Sequence, residues 1–499
     1  MPTLWTENFQ MILVTMKSNK YLISVHNDLI YQEIVKKFGN PAIHIGYKSF
    51  YTKNTEYFEF LDLLYCRYDN KLLNNLPPVD SELLEKLKIY QINFLKICER
   101  LYKGSMSFEE RLNFFYKHVK FWDNKLDEKG ITHFIQYSIP HEGFDYVIYA
   151  LCKIKKIETI FSYKLPVIKN ILTKSYFIND INHHKKEYKK KVLIRSAEEL
   201  ECSFKNLYYS IYPEKSTNKK QLKFKTYPRI SKENKLTFSK KFLLLIKSFN
   251  QYGFKTTLDK ITNKLLFCHK FKYKNPYLIS DIKLTKSYKK LVSKNIPNKP
   301  YVFFALNYQP ELSTVPLANN YSDLNLVLDM LSWVGSKYNF NVLVKKHPRT
   351  DTRRFFRPKD IYQKMNSHKN VFLIDEKKEV TELITKSIAV ASITGSSCWE
   401  AFLRKKPTLL FGPLIYENAP GTFRIGSLND LLESIKIILD KKIEINDLDI
   451  INYLKFLEEH TFDHTQSKNL YAAPKHLTSK LHIQNFVDNL EEILNKTSK

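Results

Sequence analysis

Glycine is scarce in this chain, with 11 among 499 residues, which argues against collagen, disorder and glycine-rich linkers. The six cysteines are scattered and form no Cys-x-x-Cys pair, a pattern that fits a reducing compartment. No apolar run approaches the roughly 20 residues that a membrane span requires. The first 20 residues also lack the pattern of a secretory signal. We therefore expect a cytoplasmic protein, or one bound peripherally to the inner face of the cytoplasmic membrane.

Several sequence motifs that identify common enzyme classes are also missing. The chain contains no Walker A loop, no G-x-G-x-x-G fingerprint and no H-E-x-x-H pair. P-loop, dinucleotide-binding and zinc-protease functions therefore have no support. Nothing in the chain resembles a nucleic-acid-binding module, so no nucleic acid partner is expected.

The positive charge is concentrated in one part of the chain. Lys and Arg total 80 against 51 for Asp and Glu, a net charge of +29. Residues 181–300 hold 30 of these cations against 8 acids, a net +22, which leaves only +7 for the rest. Such a segment can bind an anionic polymer or an anionic membrane surface. An A/T-rich genome would produce the same Lys-rich composition without any such role.

Elsewhere, apolar β-branched runs alternate with helical patterns. The spacing predicts, among other elements, a helix capped at Asn27 and helices over 144–155 and 428–439. Strands that alternate with helices of this length indicate βαβ units and parallel sheets. The sequence thus predicts an α/β protein with two Rossmann-like, doubly wound domains that face each other across a cleft. The predicted divisions are a first domain at 20–180, a basic and partly helical insertion at 181–300, a second domain at 301–440 and a helical tail at 441–499.

The strongest candidate motif is Thr394-Gly395-Ser396-Ser397, which follows one predicted strand and precedes a helix. Gly395 permits a tight turn, and free N–H groups at the helix start form a site suited to a phosphate. Simple helix capping by the serines is the alternative, because Ser is a preferred cap anywhere. Glu400 can accept hydrogen bonds from ribose hydroxyls, or it can complete a capping box with Ser397.

A second motif, Lys345-Lys346-His347-Pro348, ends the predicted strand at 341–345. Pro348 stops the strand and leaves His347 and the cations at its carboxyl end. A histidine there can donate to a phosphate or protonate a leaving group, and Lys345 can hold the same anion. An ordinary surface loop has the same composition. The cations that follow either extend the anion site or form a solvated helix face: Arg349, Arg353 and Arg354.

Two further motifs follow predicted strands. His141-Glu142-Gly143 comes after a strand of the first domain, so Glu142 can take a proton from an acceptor hydroxyl. Helix capping or compensation of the helix dipole would equally account for Glu142, and Asp145 is expected to support the helix. In the second domain, Tyr308 and Gln309 follow the first strand, where polar side chains can touch a sugar or a base. Generic loop chemistry is equally compatible with these two residues.

Taken together, the motifs resemble one family. The stretches FFALNYQPELSTVPLANNYSDLNLVLDML, VLVKKHP and ITGSSCWEAFLRKKPTLLFG are similar to the capsule polysaccharide biosynthesis family of bacterial glycosyltransferases. IPHEGFDYVIYALCK resembles the matching motif in that family's N-terminal half. The resemblance covers roughly residues 20–180 and 300–430.

The resemblance implies a GT-B fold with a nucleotide-sugar held between the two domains. Kdo transferases and bacterial sialyltransferases share such His-Pro and serine-rich motifs and use CMP-sugars. By this likeness His347, Ser396 and Ser397 would hold the donor phosphate, and Glu142 would be the catalytic base. His141 stands where the sialyltransferase-like pattern has a second acid, which leaves UDP-sugars open as donors.

The leading hypothesis is a glycosyltransferase that moves a sugar from a nucleotide-activated donor, with a CMP-sugar favoured, to a capsular or surface glycan or a glycolipid. No metal and no cofactor are expected, because Lys345, His347 and a helix N-terminus can neutralise the leaving phosphate. The remaining site assignments are Thr394 and Gly395 at the phosphate and His141, Tyr308 and Gln309 at the sugar. Two alternatives stay open: a nucleotide-sugar 2-epimerase-like enzyme, and a non-catalytic basic module that binds anionic glycan or membrane.

Overall fold

A computed structural model of the chain describes residues 20–25, 27–47, 54–102, 106–165, 174–184, 188, 193–215, 278–309, 311–351, 356–464 and 479–497. The described strands form two large sheets and one short two-stranded ribbon. Each large sheet has helices packed against it, so the described chain consists of two α/β units.

The first unit is built on a seven-stranded sheet. Its strands are β1 (Tyr21–Ser24), β2 (Ile43–Gly46), β3 (Glu56–Glu59), β4 (His133–Gln136), β5 (Glu158–Lys164), β6 (Lys174–Ile178) and β15 (Phe462–Asp463). They lie in the order β15-β6-β5-β4-β1-β2-β3. The five strands from β5 to β3 are parallel, whereas β6 and β15 pair antiparallel at one edge.

Local sequence signals account for the helices of the first unit. Asn27 accepts hydrogen bonds from the backbone of Leu29 and Ile30 and so starts the first helix. Ser107 and Glu110 form a reciprocal capping box at the start of the longest helix, which ends at Gly130 in the left-handed conformation. The helices are α1 (Asp28–Phe38), α2 (Phe60–Leu64), α3 (Asn70–Asn75), α4 (Ser81–Leu101), α5 (Phe108–Lys129) and α6 (Phe144–Lys155).

The second unit contains a six-stranded sheet in which every strand is parallel. Its strands are β8 (Tyr301–Ala305), β9 (Asn341–Lys345), β11 (Val371–Leu373), β12 (Ala389–Ser392), β13 (Thr408–Leu410) and β14 (Thr422–Arg424). They lie in the order β11-β9-β8-β12-β13-β14, and a separate ribbon pairs β7 (Leu278–Ser280) with β10 (Phe356–Pro358). The helices are α8 (Asp281–Leu291), α9 (Leu324–Tyr338), α10 (Ile361–Asn366), α11 (Val380–Lys386), α12 (Ser396–Phe402) and α13 (Leu428–Leu439).

The C-terminal residues return to the first unit. After α14 (Asp447–His460), strand β15 adds to the edge of the first sheet, and α15 (Ser479–Thr497) packs against α1. Lys37 of α1 pairs with Asp488 and Glu491 of α15, each at 2.7 Å. Phe486 is fully buried among the residues of β1 and α1. The helical tail is therefore part of the first unit's core.

The described parts of the basic segment belong to the two units. In α8, Leu284 and Tyr288 are fully buried in the core of the second sheet, and the Tyr288 hydroxyl donates to the Ile374 carbonyl at 2.6 Å. Helix α7 (Cys202–Ile211) packs on α14 instead. Residues 216–277, the middle of the basic segment, lie outside the described residues.

Both sheets therefore confirm the predicted α/β class with two doubly wound, Rossmann-like units. Contacts between the units include a hydrogen bond from Lys96 of α4 to the hydroxyl of Ser322, just before α9. Within the residues that the structure describes, no helix is both long enough and apolar enough to cross a bilayer.

Candidate functional site

Each sheet has one point where the chain reverses its direction of winding. In the second unit the chain adds β9 and β11 on one side of β8 and then returns to place β12 on the other side. In the first unit β2 and β3 lie on one side of β1, and β4 lies on the other. The loops that leave the carboxyl ends of such strands diverge and leave a crevice, which is where ligands bind in open α/β sheets. The predicted site residues follow β4, β8, β9 and β12.

In the second unit, Asn307 joins the two strands at the reversal point. Its side-chain oxygen accepts hydrogen bonds from the Ser392 hydroxyl at 3.0 Å and from the Ile393 backbone at 3.2 Å. The Ser392 oxygen in turn accepts from the Gly395 N–H at 3.1 Å. A Cβ at Gly395 would lie 2.4 Å from that same oxygen, so any other residue there would force the turn to shift. Asn307 is 7% exposed and thus holds the turn together from inside.

The turn after β12 is further fixed by residues that are distant in sequence. The Thr394 hydroxyl donates to the Ser313 carbonyl at 2.5 Å, and the Tyr416 hydroxyl donates to the Gly395 carbonyl at 2.8 Å. These bonds fix the conformation of the turn that leads into α12, where the free N–H groups of the helix start are located. The structure thus brings Thr394, Gly395 and Ser392 together with Asn307 at one edge of the sheet.

The serines of this motif do not cap the helix. Gly395 is the N-cap residue of α12, no side chain caps it, and Ser396 and Ser397 already lie within the first turn. The capping explanation for these serines, including a box between Ser397 and Glu400, is therefore wrong. Within the described part of the chain the Ser397 hydroxyl oxygen is buried and has no hydrogen-bond partner.

Glu400 lies one turn into the same helix. Burial raises the pKa of its carboxyl group, and the charge of Arg404 opposes this shift. The Arg404 guanidinium donates to the Glu400 carbonyl at 3.1 Å. The carboxyl group is thus placed in a poorly solvated position close to the start of the helix.

His347 and Tyr308 lie side by side after β9 and β8, with ring centroids 5.5 Å apart. The backbone N–H and hydroxyl of Thr350 donate to the His347 carbonyl at 3.1 and 2.7 Å, which fixes the turn at the end of the strand. Tyr308 is only 2% exposed, and the Gln309 amide donates to the Ser322 carbonyl. Both of these predicted sugar contacts are thus packed against the protein.

The two lysines that precede His347 point away from the turn after β12. The Lys345 ammonium donates to the Lys378 carbonyl in the loop after β11, and burial lowers the pKa of Lys345 against the nearby charge of Glu379. Lys346 pairs with Glu376 of the same loop at 2.8 Å. The structure therefore holds Lys345 toward β11, whereas the turn with Ser397 lies beyond β8. Arg353 and Arg354 lie outside the described residues.

In the first unit, Asp145 organises the loop that carries His141 and Glu142. The Asp145 carboxylate accepts hydrogen bonds from the Gln136 amide and from the backbone N–H groups of His141 and Glu142, at 2.8, 3.0 and 2.7 Å. Burial raises the pKa of Asp145, and the charge of His141 opposes this shift. Asp145 thus supports the turn as well as the helix α6, where it lies in the first turn.

The side chains of His141 and Glu142 face each other. His141 Nε2 lies 3.2 Å from Glu142 Oε1, and the side chains are 20% and 27% exposed. The Arg100 guanidinium donates to the His141 carbonyl from the end of α4. Gly143 lies beside Phe94 and has a φ of 89°, a backbone conformation that favours glycine over residues with a side chain. The loop is therefore clamped between α4 and α6 and leaves the Glu142 carboxylate partly accessible.

Sequence reasoning missed several residues that position these groups. Two of them, Arg100 and Tyr416, contact the motifs from 21 or more residues away in the sequence. The third, Ser392, contacts Gly395 from the end of β12, which carries no motif of its own. Burial and the charge of Glu142 raise the pKa of Tyr47, which places this phenol near the Glu142 carboxylate. Among the described residues, no group of three or more acidic, His or Cys side chains is arranged to hold a metal ion.

No family model matches the chain, and no curated protein matches it in sequence. Solved structures with some similarity include the UDP-GlcNAc 2-epimerase from Methanocaldococcus jannaschii, with a TM-score of 0.25 and 11% identity over 88% of this chain and 99% of that one. A β-Kdo 2,4-transferase, KpsC from Thermosulfurimonas dismutans, has a TM-score of 0.27 and 13% identity over 65% of this chain and 88% of that one. A glycosyltransferase from Rickettsia africae ESF-5 has a TM-score of 0.24 and 10% identity over 96% and 99%.

Proposed function

We propose that this protein is a glycosyltransferase that moves a sugar from a nucleotide-sugar, with a CMP-sugar favoured, to a hydroxyl of a surface or capsular glycan. One observation carries the proposal: each of the two units has a candidate site loop at the reversal point of its doubly wound sheet. In the second unit this is the turn at Gly395, which is suited to a phosphate. In the first unit it is the loop with His141 and Glu142, which we call the carboxylate loop. Ligands of open α/β sheets bind at such points. The two loops have the chemistry that donor and acceptor require.

The second unit would hold the donor. The turn at Gly395 presents the N–H groups at the start of α12, and the buried Ser397 hydroxyl has an unused hydrogen-bonding capacity among the described residues. A phosphate oxygen would satisfy both, because it accepts hydrogen bonds from N–H and O–H donors alike. His347 would supply a further donor from the adjacent strand end. Lys345 would assist only after leaving its present backbone contact.

The first unit would hold the acceptor. Glu142 would take the proton of the acceptor hydroxyl as that oxygen forms its bond to the anomeric carbon of the donor sugar. The bond between that carbon and the phosphate oxygen would break, and its electron pair would leave with the nucleotide. The donors at Gly395, Ser397 and His347 would stabilise the resulting charge. In this scheme the cationic and hydrogen-bonding groups of the protein perform the neutralisation for which many transferases use a metal ion.

The test is transfer of a radiolabelled sugar from CMP-, UDP- and GDP-sugars to an acidic glycan acceptor. Glu142→Gln should lower kcat by roughly 10²- to 10⁴-fold, and His347→Ala by roughly 10²- to 10³-fold. Two matched controls should retain wild-type turnover. Glu85→Gln changes an exposed carboxylate of α4. His368→Ala changes a histidine that precedes β11, at the amino-terminal end of the strands and away from the candidate site at their carboxyl ends.

Undiminished turnover in both site variants would contradict the proposal. Incubation with the nucleotide-sugar alone separates the remaining chemistry. Epimerised sugar without acceptor would instead identify a 2-epimerase-like enzyme, since that reaction needs no second substrate.

A further inference from the structure

A groove lies on the first unit, apart from both reversal points. Helix α3, the segment that leads into α4, the first turn of α4 and the middle of α5 enclose about 420 Å³. That volume falls within the range of small-molecule sites. The groove is lined by Asn70, Leu73, Asn74, Pro78, Val79, Leu84, Asn113, Tyr116, Lys117 and Lys120.

The lining combines amides, one aromatic ring and two cations over an apolar floor. Asn70 and Asn74 project from α3, whereas Asn113 projects from α5, one turn before the tyrosine ring. The side chain of Tyr116 is 38% exposed. No acidic residue lines the groove. A surface of this kind offers planar amides to hydroxyl groups, a ring face to C–H groups and ammonium groups to carboxylates.

These polar groups are unused within the described part of the chain. None of the amide side chains, the Tyr116 hydroxyl or the two groove ammonium groups takes part in a hydrogen bond or an ion pair with another described residue. Other lysines of the same two helices are paired: Lys86 of α4 lies 2.6 Å from Glu82, and Lys125 of α5 lies 2.7 Å from Glu128. The anion that would match the groove lysines is therefore not supplied by the described protein.

The groove is connected to the carboxylate loop through α4. Leu84 lines the groove at one end of this helix, and Arg100 holds the His141 carbonyl at the other end. Sixteen residues of α-helix separate the two positions, which corresponds to about 24 Å along the axis. A ligand that occupied both places would have to be a chain of several sugars.

We propose that this groove binds a carboxylate-bearing segment of an oligosaccharide chain, as a subsite for an acceptor that is already a polymer. The inference rests on the proposed function for the role of the chain as acceptor, though the binding itself does not. The sugar hydroxyls would meet the three amides, a sugar ring would lie on Tyr116, and a carboxylate would pair with Lys117 or Lys120. A concave surface with only two cations suits a narrow chain better than a flat membrane or a nucleic acid duplex.

The test is equilibrium binding of an oligogalacturonate to the full chain without any nucleotide-sugar. The double variant Lys117→Ala/Lys120→Ala should bind roughly tenfold more weakly, because exposed ion pairs contribute modestly and each tenfold step corresponds to about 1.4 kcal/mol. Tyr116→Ala should weaken binding severalfold, and Tyr116→Phe should restore it, since the ring is retained. The matched control is Lys290→Ala/Lys294→Ala, which removes the same charge from exposed positions of the second unit.

Each outcome separates the possibilities. A specific loss in the groove variants, with neutral maltohexaose binding poorly to the wild type, supports the proposal. Three outcomes would overturn it. The first is an equal loss in the control variant, and the second is no binding by the wild type. The third is equal, lysine-dependent binding of a single-stranded oligonucleotide of matched charge. Because Glu142→Gln leaves the groove untouched, it should bind the oligogalacturonate like the wild type. Undiminished transfer by Glu142→Gln with retained binding would therefore count against the proposed reaction alone.

Discussion

The two reversal points have the same topology and opposite chemistry. At the end of β12, neutral groups build the turn: an amide oxygen of Asn307, the hydroxyl of Ser392 and the backbone of Gly395. At the end of β4, ionisable groups build it: Asp145 accepts three hydrogen bonds, and Arg100 holds the next carbonyl. A neutral frame leaves its free N–H and O–H groups available to an added anion. A turn built on an ionisable group keeps the Glu142 carboxylate in place, because the neighbouring Asp145 carboxylate already has its hydrogen-bond donors.

The difference also explains how each loop tolerates change. In the neutral turn, contact distances decide what fits, because the Gly395 backbone lies against the Ser392 oxygen. In the ionisable turn, hydrogen bonds to one buried carboxylate decide the geometry. Steric changes should therefore damage the second unit most, and changes of charge or acceptor number should damage the first.

The largest effect is expected for Asp145→Ala. The change leaves the Gln136 amide and two backbone N–H groups without their acceptor in a buried place, so the free energy of unfolding should fall by about 3 kcal/mol. Urea denaturation measures it. Asp145→Asn keeps one acceptor oxygen and should lose less. Equal stability of the alanine variant and the wild type would show that the carboxylate does not organise the loop.

The same carboxylate makes a signed prediction about pH. Because burial raises the folded-state pKa of Asp145 above its unfolded value, the folded state binds this proton first as the pH falls. Ionisation of Asp145 therefore lowers the free energy of unfolding of the wild type as the pH rises above about 3.9, the ordinary pKa of an Asp carboxyl group. Asp145→Asn removes this dependence. The difference in unfolding free energy between variant and wild type should shift in favour of the variant as the pH rises above that value.

A smaller effect is expected for Gly395→Ala. The added Cβ would meet the Ser392 oxygen at 2.4 Å, so the turn must shift at a cost of about 1 to 3 kcal/mol. Nucleotide-sugar binding should fall with it, which thermal shift with and without ligand can separate. Gly426→Ala is the matched control, since its Cβ would come only within 3.3 Å of the Asp430 carboxylate. If Gly395→Ala matched this control in stability, the tight neutral turn would not be needed.

The fold was largely predictable because its signals are local. The helices Phe144–Lys155 and Leu428–Leu439 have the predicted bounds, and Asn27 caps the first helix as expected. The alternation of strands and helices predicted two parallel sheets for the same reason. The two-residue strand β15 left no such signal, because it exists only through its pairing with β6.

The candidate site was predictable only in outline. Residues at strand ends could be found from the sequence, but their partners could not, because Asn307 lies 85 residues from Ser392. The serine-capping explanation failed for a local reason: the helix begins two residues earlier than the capping box between Ser397 and Glu400 requires, so Gly395 takes the cap position. The direction of Lys345 depends on the loop after β11, which brings the Lys378 carbonyl to its ammonium group.

Ser397→Ala should have the smallest effect on the protein and the most informative one on the ligand. Within the described part of the chain its buried hydroxyl oxygen has no partner, so its removal should leave the free energy of unfolding unchanged or raise it by up to about 1 kcal/mol. Donor affinity should fall roughly tenfold, since a hydrogen bond to a charged phosphate contributes about 1.5 kcal/mol. Ser392→Ala is the contrasting variant, because that hydroxyl bonds both Asn307 and Gly395 and its loss should cost about 1 to 3 kcal/mol of stability. Calorimetric titration with a nucleotide-sugar, beside denaturation of both variants, would show whether ligand binding and folding separate at these two serines. Unchanged affinity in Ser397→Ala would remove this hydroxyl from the donor site and leave the backbone N–H groups as its remaining donors in that turn.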